Sequence, residues 1–196
     1  MGNPIQPGIP DYTPVSPDMK GRRVIVTGAG TGVGRGIGRV FASAGASVVF
    51  HYSQSAAGAE SAAAEANADG GSAKAIGADF KEFDSYKKLV DASCEFMGGV
   101  DILINNAGIT TNVPIEEITE TQFETLFNVN IKAQMFMTKL VAAEMGKSGK
   151  GHIINISSVH AFAGMTEHSI YAATKGAIVS FTREVSLELI QKGIRV

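Results

Sequence analysis

The feature that most constrains this sequence is a strand-like run that opens into a glycine-rich turn, RVIVTGAGTGVG, at residues 23–34. A helix-like segment containing GRVFASAG follows it. In such a unit Gly28 permits the sharp turn, while Gly32 and Gly34 let the backbone approach a pyrophosphate and the helix pack closely on the strand. Free N–H groups at the helix N-terminus would face the phosphates. A nucleoside-triphosphate loop would need Gly-Lys-Ser/Thr, which is absent, so we predict a dinucleotide-binding turn.

Apolar runs of strand length alternate with helix-length segments along the rest of the chain. The strand candidates are 23–28, 47–52, 73–78, 101–107, 152–158 and 194–196. Several are nearly continuous in Val, Ile and Leu, which is typical of parallel strands buried on both faces. The segments between them carry helix formers or helix-spaced apolar residues, at 34–45, 56–68, 83–97, 117–145 and 169–193. This alternation predicts an α/β fold: a doubly wound parallel sheet of the Rossmann type in a single domain.

The two ends of the sequence differ from the middle. Five of the six prolines fall within residues 1–20. Proline suits an extended chain, so we predict a proline-rich N-terminal arm there, either a disordered tail or a segment that packs on a neighbouring subunit. The dinucleotide-binding catalytic domain then occupies residues 21–196. The sequence stops inside its last strand candidate, so we expect this domain to be incomplete at its C-terminal end.

Composition excludes several classes of function. The net charge is −2 and no basic run occurs, so we expect no nucleic-acid partner. The single cysteine, Cys94, rules out a disulfide framework, and the four histidines show no metal-ligand spacing. No apolar run reaches the roughly 18 residues of a membrane span, and the N-terminus lacks the charged and apolar regions of a signal peptide. We therefore expect a cytoplasmic protein without a metal and without a membrane partner.

The end of the second strand, HYSQ at 51–54, bears on the choice of dinucleotide. An acidic residue there would bind the ribose 2′-hydroxyl of NAD. The first acid after the strand is Glu60, so no carboxylate would repel a 2′-phosphate. No Arg or Lys stands at 51–55 to bind that phosphate, although Ser53 can donate a hydrogen bond. We expect Tyr52 and Ser53 to contact the cofactor and NADP to be favoured over NAD.

Three further residues suggest proton transfer. Tyr171 and Lys175 stand four residues apart in YAATK, and Ser158 precedes the tyrosine by 13 positions. On a helix, residues four apart share a face. A free tyrosine has a pKa of about 10, and a nearby positive charge favours the phenolate form. Such a group can move a proton on and off an alcohol or ketone, and a hydride carrier beside it would make an oxidoreductase site.

The glycine turn, NNAG at 105–108 and the Ser158, Tyr171 and Lys175 pattern together resemble the short-chain dehydrogenase/reductase family. The resemblance covers residues 21–196, and the TGxxxGxG spacing is similar to the compact branch of that family. SSVH at 157–160 and the HYSQS segment are similar to bacterial glucose dehydrogenases. The family's 3-oxoacyl reductases share the same motifs.

The resemblance implies a role for each matching residue. Tyr171 would be the general acid/base, and Ser158 would bind the substrate oxygen. Tyr171 and Lys175 would also contact the cofactor, the lysine at the nicotinamide ribose. Asn130 would hold a water in a proton relay to the lysine. The remaining matches would contact the cofactor: Asn106, Gly108 and Asp79, of which Asp79 is alternatively only a turn former.

The function expected from this resemblance is hydride transfer between NAD(P) and a secondary alcohol or ketone. The polar loop HAFAGMTEHS, at 160–169, favours a sugar or polyol. The alternatives are a 3-oxoacyl thioester substrate or a non-catalytic nucleotide-binding member of the family. In the family, the last two long helices pair across a two-fold axis, which implies a homodimer or homotetramer.

Overall fold

The computed structural model describes residues 18–196. Six strands and six α-helices follow one another along the chain. The strands are β1 (Arg23–Val26), β2 (Ser47–Tyr52), β3 (Ser72–Gly77), β4 (Ile102–Asn105), β5 (Gly151–Asn155) and β6 (Ile194–Arg195). The helices are α1 (Gly32–Ser43), α2 (Ala56–Ala68), α3 (Ser85–Met97), α4 (Glu120–Phe127), α5 (Ala133–Gly146) and α6 (Ser169–Ile190).

All six strands form one parallel sheet in the order β3-β2-β1-β4-β5-β6. The chain winds outward from β1 to β3 and then crosses back to place β4 on the other side of β1. The order therefore reverses between β1 and β4, which creates a crevice at the carboxyl ends of these two strands. The prediction of a doubly wound parallel sheet of the Rossmann type is confirmed.

Alternate residues of the central strands supply the two layers of the core. Ile25, Val49 and Leu103 face α3, α5 and α6, and all are fully buried. Their neighbours on the other face pack against the alanine-rich surfaces of α1 and α2; these are Val24, Val26, Val48, Phe50, Ile102 and Ile104. Because both faces are covered, the central strands read as continuous apolar runs.

The helices differ from the sequence-based prediction in two places. The helical segment predicted at 117–145 is interrupted by a π-helical turn, Asn128–Lys132, and preceded by a short 3₁₀ turn, Ile115–Glu117. The last helix ends at Ile190 rather than at Gly193, because i→i+3 hydrogen bonds tighten the chain after it. Gly193 has a φ of +72° and directs the chain into β6.

Most of the predicted N-terminal arm lies outside the described residues, which begin at Asp18. Met19 already belongs to the domain, because its N–H donates to Ala44 O (2.9 Å) and its side chain packs against the α1–α2 layer. Within residues 18–196, none of the helices is both long enough and apolar enough to cross a membrane.

One ion pair joins the amino ends of β1 and β4. Both carboxylate oxygens of Asp101 accept hydrogen bonds from the Arg23 guanidinium (2.7 and 2.9 Å), and one also accepts the Arg23 N–H (3.0 Å). The Asp101 side chain is only 10% exposed. The hydrogen bonds from Arg23 hold the pKa of the Asp101 carboxyl below its usual value. The pair thus anchors the strands at the end opposite the crevice.

We predict that Asp101→Asn lowers the free energy of unfolding by about 1–3 kcal/mol at pH 7, because it removes charged hydrogen bonds to a partly buried guanidinium. Since the folded-state pKa of Asp101 is lowered, its contribution is complete above the unfolded-state pKa and is lost as the pH falls through the folded-state value. The difference between variant and wild type should therefore shrink below about pH 4.

Urea unfolding at several pH values measures this difference. Asp91→Asn is the matched control, because Asp91 forms an exposed i,i+4 pair with Lys87 and should change stability by less than about 0.5 kcal/mol. Equal effects from the two variants would contradict an anchoring role for Asp101.

Candidate active site

A cleft of about 530 Å³ opens at the carboxyl ends of the first four strands. Its walls are the glycine turn after β1, the end of β2, the loop after β3 and the NNAG segment after β4. All but two of the residues predicted to contact the cofactor line it: Gly28, Gly32, Gly34, Tyr52, Ser53, Asp79, Asn106 and Gly108. The other two, Tyr171 and Lys175, line a smaller adjoining cleft.

The geometry of the glycine turn fits a pyrophosphate. Gly28 has a φ of +65°, and an added Cβ would lie 2.8 Å from Ala107 Cα, so the turn can approach the NNAG segment only with glycine there. Gly34 is buried beneath the turn, while Gly32 is exposed, with open space where its Cβ would be. The first turn of α1 contains no acidic residue and its N-cap side chain makes no hydrogen bond. Its N–H groups can therefore receive an anion.

The loop after β3 contributes one carboxylate and one ammonium group to the cleft, those of Asp79 and Lys81. Asp79 Oδ1 accepts the Lys81 N–H (3.0 Å), as expected of a turn former, and the residue nevertheless lines the cleft. Both readings of Asp79 from the sequence are therefore compatible with its position. At the end of β2, Tyr52 and Ser53 also line the cleft.

Asn106 braces the two central strands against each other. Its Nδ2 donates to the carbonyl oxygens of Thr27 (3.0 Å) and Gly28 (3.2 Å). Thr27 Oγ1 in return accepts the N–H groups of Asn106 and Ala107, both at 3.0 Å. Thr27 was not recognised from the sequence, where it is only the residue before the first glycine.

A smaller cleft of about 240 Å³ adjoins the first and shares Val33, Asn106, Gly108 and Ile109 with it. Tyr171 and Lys175 line this second cleft from one face of α6. The Lys175 Nζ lies 5.7 Å from the centre of the Tyr171 ring. The two predicted proton-transfer residues are therefore next to each other and beside the larger cleft.

Lys175 is 4% exposed and makes a single side-chain hydrogen bond, from Nζ to Ile156 O (3.0 Å). Burial lowers the pKa of its ammonium group. An added Cβ on Gly108 would lie 3.4 Å from Nζ and 3.5 Å from Asn130 Oδ1, so the three residues meet at one point. A buried ammonium group without a carboxylate partner is costly and is typical of functional sites.

Asn130 is fully buried and lies in the π-helical turn. Its Oδ1 accepts the Ile109 N–H (2.8 Å), while its Nδ2 donates to Ile109 O (2.8 Å) and to Thr174 Oγ1 (3.1 Å). The side-chain amide thus has both ends engaged and holds the segment after Gly108 beside Lys175. π-Turns are rare and often mark functional sites. The water relay predicted for Asn130 stays a prediction.

Two adjacent serines follow β5, Ser157 and Ser158, and they differ in their surroundings. Ser157 lines the smaller cleft, and its Oγ donates to Lys175 O (2.8 Å). Ser158, the residue predicted from the sequence, caps the short 3₁₀ turn Val159–Ala161 and accepts the His160 N–H on its Oγ (3.2 Å). Sequence reasoning missed Ser157, because adjacent serines carry the same local signal.

Two histidines surround Tyr171. The rings of His160 and His168 stack at 4.9 Å, and the His160 ring meets the Tyr171 ring edge-on at 5.4 Å. His160 Nδ1 is buried and has no hydrogen-bond partner within residues 18–196. Both histidines are half-buried, at the two ends of the loop between Ser158 and Tyr171. Among residues 18–196 no group of His, Cys, Asp and Glu has the arrangement of a metal site.

Helix α2 presses directly on the glycine turn. An added Cβ on Gly58 would collide with the carbonyl oxygen of Gly30, and one on Gly30 would lie 2.5 Å from Ser55 O. Neither glycine was recognised from the sequence. The available signal was a glycine inside an alanine-rich helix, where alanine would be the better helix former.

We predict that Gly58→Ala pushes α2 away from the turn, destabilises the protein by about 1–3 kcal/mol and weakens nucleotide binding. Gly36→Ala is the matched control, since Gly36 lies on the exposed face of α1 with no atom within 4 Å of an added Cβ. It should stabilise by up to about 1 kcal/mol through helix propensity. Thermal unfolding and nucleotide titration measure both effects; a shift of the two variants in the same direction would contradict this packing.

Fold and site together define a dinucleotide-binding enzyme of the doubly wound α/β class. A sequence model of the family described as short chain dehydrogenase matches residues 22–196. Galactitol 2-dehydrogenase of Agrobacterium fabrum is 37% identical over 91% of this chain and 68% of its own length. The 3-oxoacyl-[acyl-carrier-protein] reductase of Synechocystis is 33% identical over 88% of this chain and 70% of its own length.

Among solved structures, a 7α-hydroxysteroid dehydrogenase complexed with NADH and 7-oxo glycochenodeoxycholic acid is similar, with a TM-score of 0.87 and 34% identity. The similarity covers 91% of this chain and 69% of that one. The chain belongs to the short-chain dehydrogenase/reductase family, and it is an NAD(P)-dependent oxidoreductase of that family. Enzymes of this family act on small molecules and are commonly oligomeric.

Proposed function

We propose that this protein transfers a hydride reversibly between NAD(P) and a secondary alcohol or ketone, with Tyr171 as the acid/base. The observation that carries the proposal is the position of Tyr171 and the buried Lys175 in a cleft that adjoins the dinucleotide cleft. A non-catalytic nucleotide-binding protein would have no need for a buried ammonium group beside a tyrosine.

The residues that would hold the dinucleotide come from four strand ends. The glycine turn and the N-terminus of α1 would bind the pyrophosphate, Tyr52, Ser53 and Asp79 the adenosine half, and Asn106 and Gly108 the nicotinamide ribose. When bound, the nicotinamide ring supplies or accepts the hydride. The protein's own contribution is orientation and a path for the proton.

The Tyr171 hydroxyl would give a proton to the ketone oxygen or take one from the alcohol. Lys175 places its ammonium group beside the Tyr171 ring, and its Nζ is held in place by Ile156 O. A serine hydroxyl would bind the substrate oxygen; the sequence favours Ser158, whereas Ser157 lines the cleft. Asn130 would keep the Ile109 segment beside the lysine and complete the relay.

We predict that Tyr171→Phe lowers kcat at least about 100-fold, because the ring remains but the exchangeable proton is lost. The affinity for the cofactor should barely change, whereas Lys175→Ala should impair both turnover and cofactor binding. Absorbance of the reduced nicotinamide measures turnover, and calorimetry measures binding. Near-normal turnover by Tyr171→Phe would refute the assignment of Tyr171 as the acid/base.

Comparison of Ser157→Ala with Ser158→Ala identifies the serine that acts on the substrate. Only the variant that lacks the acting serine should lose kcat.

We also propose NADP as the favoured cofactor. The end of β2 presents Tyr52 and Ser53 to the cleft without a carboxylate of its own, and the loop after β3 adds the Lys81 ammonium group as well as the Asp79 carboxylate. A 2′-phosphate would therefore meet no repulsion at the strand end. Because the related hydroxysteroid dehydrogenase is complexed with NADH, both nucleotides belong in the assay.

We predict that Tyr52→Asp shifts the ratio of kcat/KM for NADP over NAD toward NAD by about tenfold or more, since a carboxylate binds the 2′-hydroxyl and repels a 2′-phosphate. Tyr52→Asn is the control that changes size without adding charge. An equal ratio for the two variants would mean that the ribose is held elsewhere.

The substrate that we propose is a sugar or polyol. His160 and His168 stand beside Tyr171, and an imidazole nitrogen can donate or accept a hydrogen bond with a substrate hydroxyl. The related galactitol 2-dehydrogenase is named for a polyol.

A 3-oxoacyl thioester is the second candidate. It is favoured by the exposed apolar side chains of the same loop, Phe162 (77% exposed) and Met165 (61%), and by the related reductase. A panel of polyols and 3-oxoacyl thioesters, assayed with wild type and His160→Phe, separates the two, because only polyol turnover should depend on the imidazole.

We further propose a homodimer or homotetramer in the cytoplasm. A groove of about 900 Å³ between α5 and α6 is lined mostly by apolar side chains, with Lys139, Glu184, Glu188 and Lys192 among them. On α6, Ile178, Val185 and Leu189 are already buried inside the subunit, whereas Leu187 is 70% exposed. A two-fold copy can bury the groove and pair its opposite charges. Light scattering at micromolar concentration should give at least twice the monomer mass.

A further inference from the structure

His51 is a buried side chain for which neither the sequence motifs nor the proposed chemistry gives a role. It is the penultimate residue of β2 and is 1% exposed. Its Nδ1 accepts the Gly28 N–H (3.1 Å), and its Nε2 lies 2.9 Å from Ala78 O. A backbone N–H can only donate and a carbonyl can only accept, so Nδ1 must be unprotonated and Nε2 must carry the proton.

The same residue contacts both walls of the dinucleotide cleft in other ways. Its ring stacks on Phe80, with 4.3 Å between ring centres and 14° between the planes. Its carbonyl oxygen accepts the Ala29 N–H (2.7 Å). One wall is the glycine turn, and the other is the loop after β3 that contains Asp79 and Lys81. His51 is itself one of the residues that line the cleft, and its side chain connects these two walls.

The imidazole is neutral at physiological pH. Burial lowers the pKa of His51 to about 4, although the hydrogen bond to Ala78 O and the nearby Asp79 carboxylate both favour the proton. A protonated ring would have a second N–H, which would point at the Gly28 N–H and break the connection to the turn. Burial thus favours the neutral imidazole, which is the form that can hydrogen-bond to both walls.

We propose that His51 is a positioning residue of the nucleotide cleft, whose Nε2–H tautomer fixes the separation between the glycine turn and the loop after β3. This inference rests on the proposed dinucleotide site. Because the two walls hold the pyrophosphate and the adenosine half, His51 controls the affinity for that half. It does not touch the reacting atoms, so kcat at saturating cofactor does not depend on it.

Three substitutions separate the two hydrogen bonds from simple packing. His51→Asn places an amide oxygen near Nδ1 and keeps only the bond from Gly28. His51→Gln places an amide nitrogen near Nε2 and keeps only the bond to Ala78. His51→Phe keeps the stacked ring and loses both bonds. His152→Gln is the control, because His152 is exposed on β5 and lines neither cleft.

Calorimetric titration with ADP-ribose and with NADP measures the effect on the full 196-residue chain. ADP-ribose contains the pyrophosphate and adenosine but no nicotinamide. Each lost hydrogen bond should weaken binding roughly two- to tenfold, with His51→Phe weakest, and the loss should be the same for both ligands. Once cofactor is saturating, kcat should equal that of wild type. Unchanged affinity in His51→Phe, or wild-type affinity in either single-bond variant, would overturn the proposal.

A measurement on wild type keeps the proposal testable even where a variant fails to fold. Nitrogen-15 NMR of the imidazole should show a protonated Nε2 and an unprotonated Nδ1, without titration between about pH 8 and pH 5.5. The Nδ1–H tautomer, or a charged ring at neutral pH, would overturn the proposal. If wild type bound neither ligand, the dinucleotide site itself would fall, and with it this inference. If wild type and His51→Phe bound ADP-ribose and NADP equally tightly, the dinucleotide site would stand and only the inference about His51 would fall.

Discussion

The site depends on the contact between the ends of β1 and β4, where the sheet order reverses. Thr27 and Asn106 exchange hydrogen bonds there, and Gly28 lies against Ala107 with a backbone conformation that only glycine adopts easily. The opening of the dinucleotide cleft and the orientation of α1 both follow from this contact. Because β5 pairs with β4, the contact between β1 and β4 also determines where Ser157 meets Lys175 on α6.

The fold could be predicted from the sequence because its signals are local and repeated. The central strands β1, β2 and β4 contain apolar runs, and glycine or polar residues mark their ends. The π-helical turn at Asn128–Lys132 could not be predicted, since it depends on the contact of Asn130 with Ile109, a residue 21 positions away. The end of α6 was placed three residues late, because Gly193 resembles a helix cap but follows i→i+3 turns.

The residues of the candidate site likewise divide into those that the sequence reveals and those that only the structure reveals. Glycines, the YAATK spacing and NNAG carry chemistry in their order along the chain, and they could be recognised together. Thr27, His51 and Gly58 act through partners that are distant in sequence, and nothing in their local context distinguishes them from ordinary strand or helix residues. Ser157 and Ser158 are adjacent, so only their three-dimensional surroundings separate the serine that lines the cleft from the one that caps a turn.

The π-helical turn has a consequence for how this chain can change over time. Each residue added to or removed from an α-helix rotates everything beyond it by about 100°. The extra residue within Asn128–Lys132 lets one continuous helical segment direct Asn130 inward and the apolar side of α5 toward its groove with α6. Deletion of one residue from this turn would rotate Asn130 and the apolar side of α5 relative to each other. Insertions and deletions should therefore be rarer in this turn than in the surface loops of related sequences.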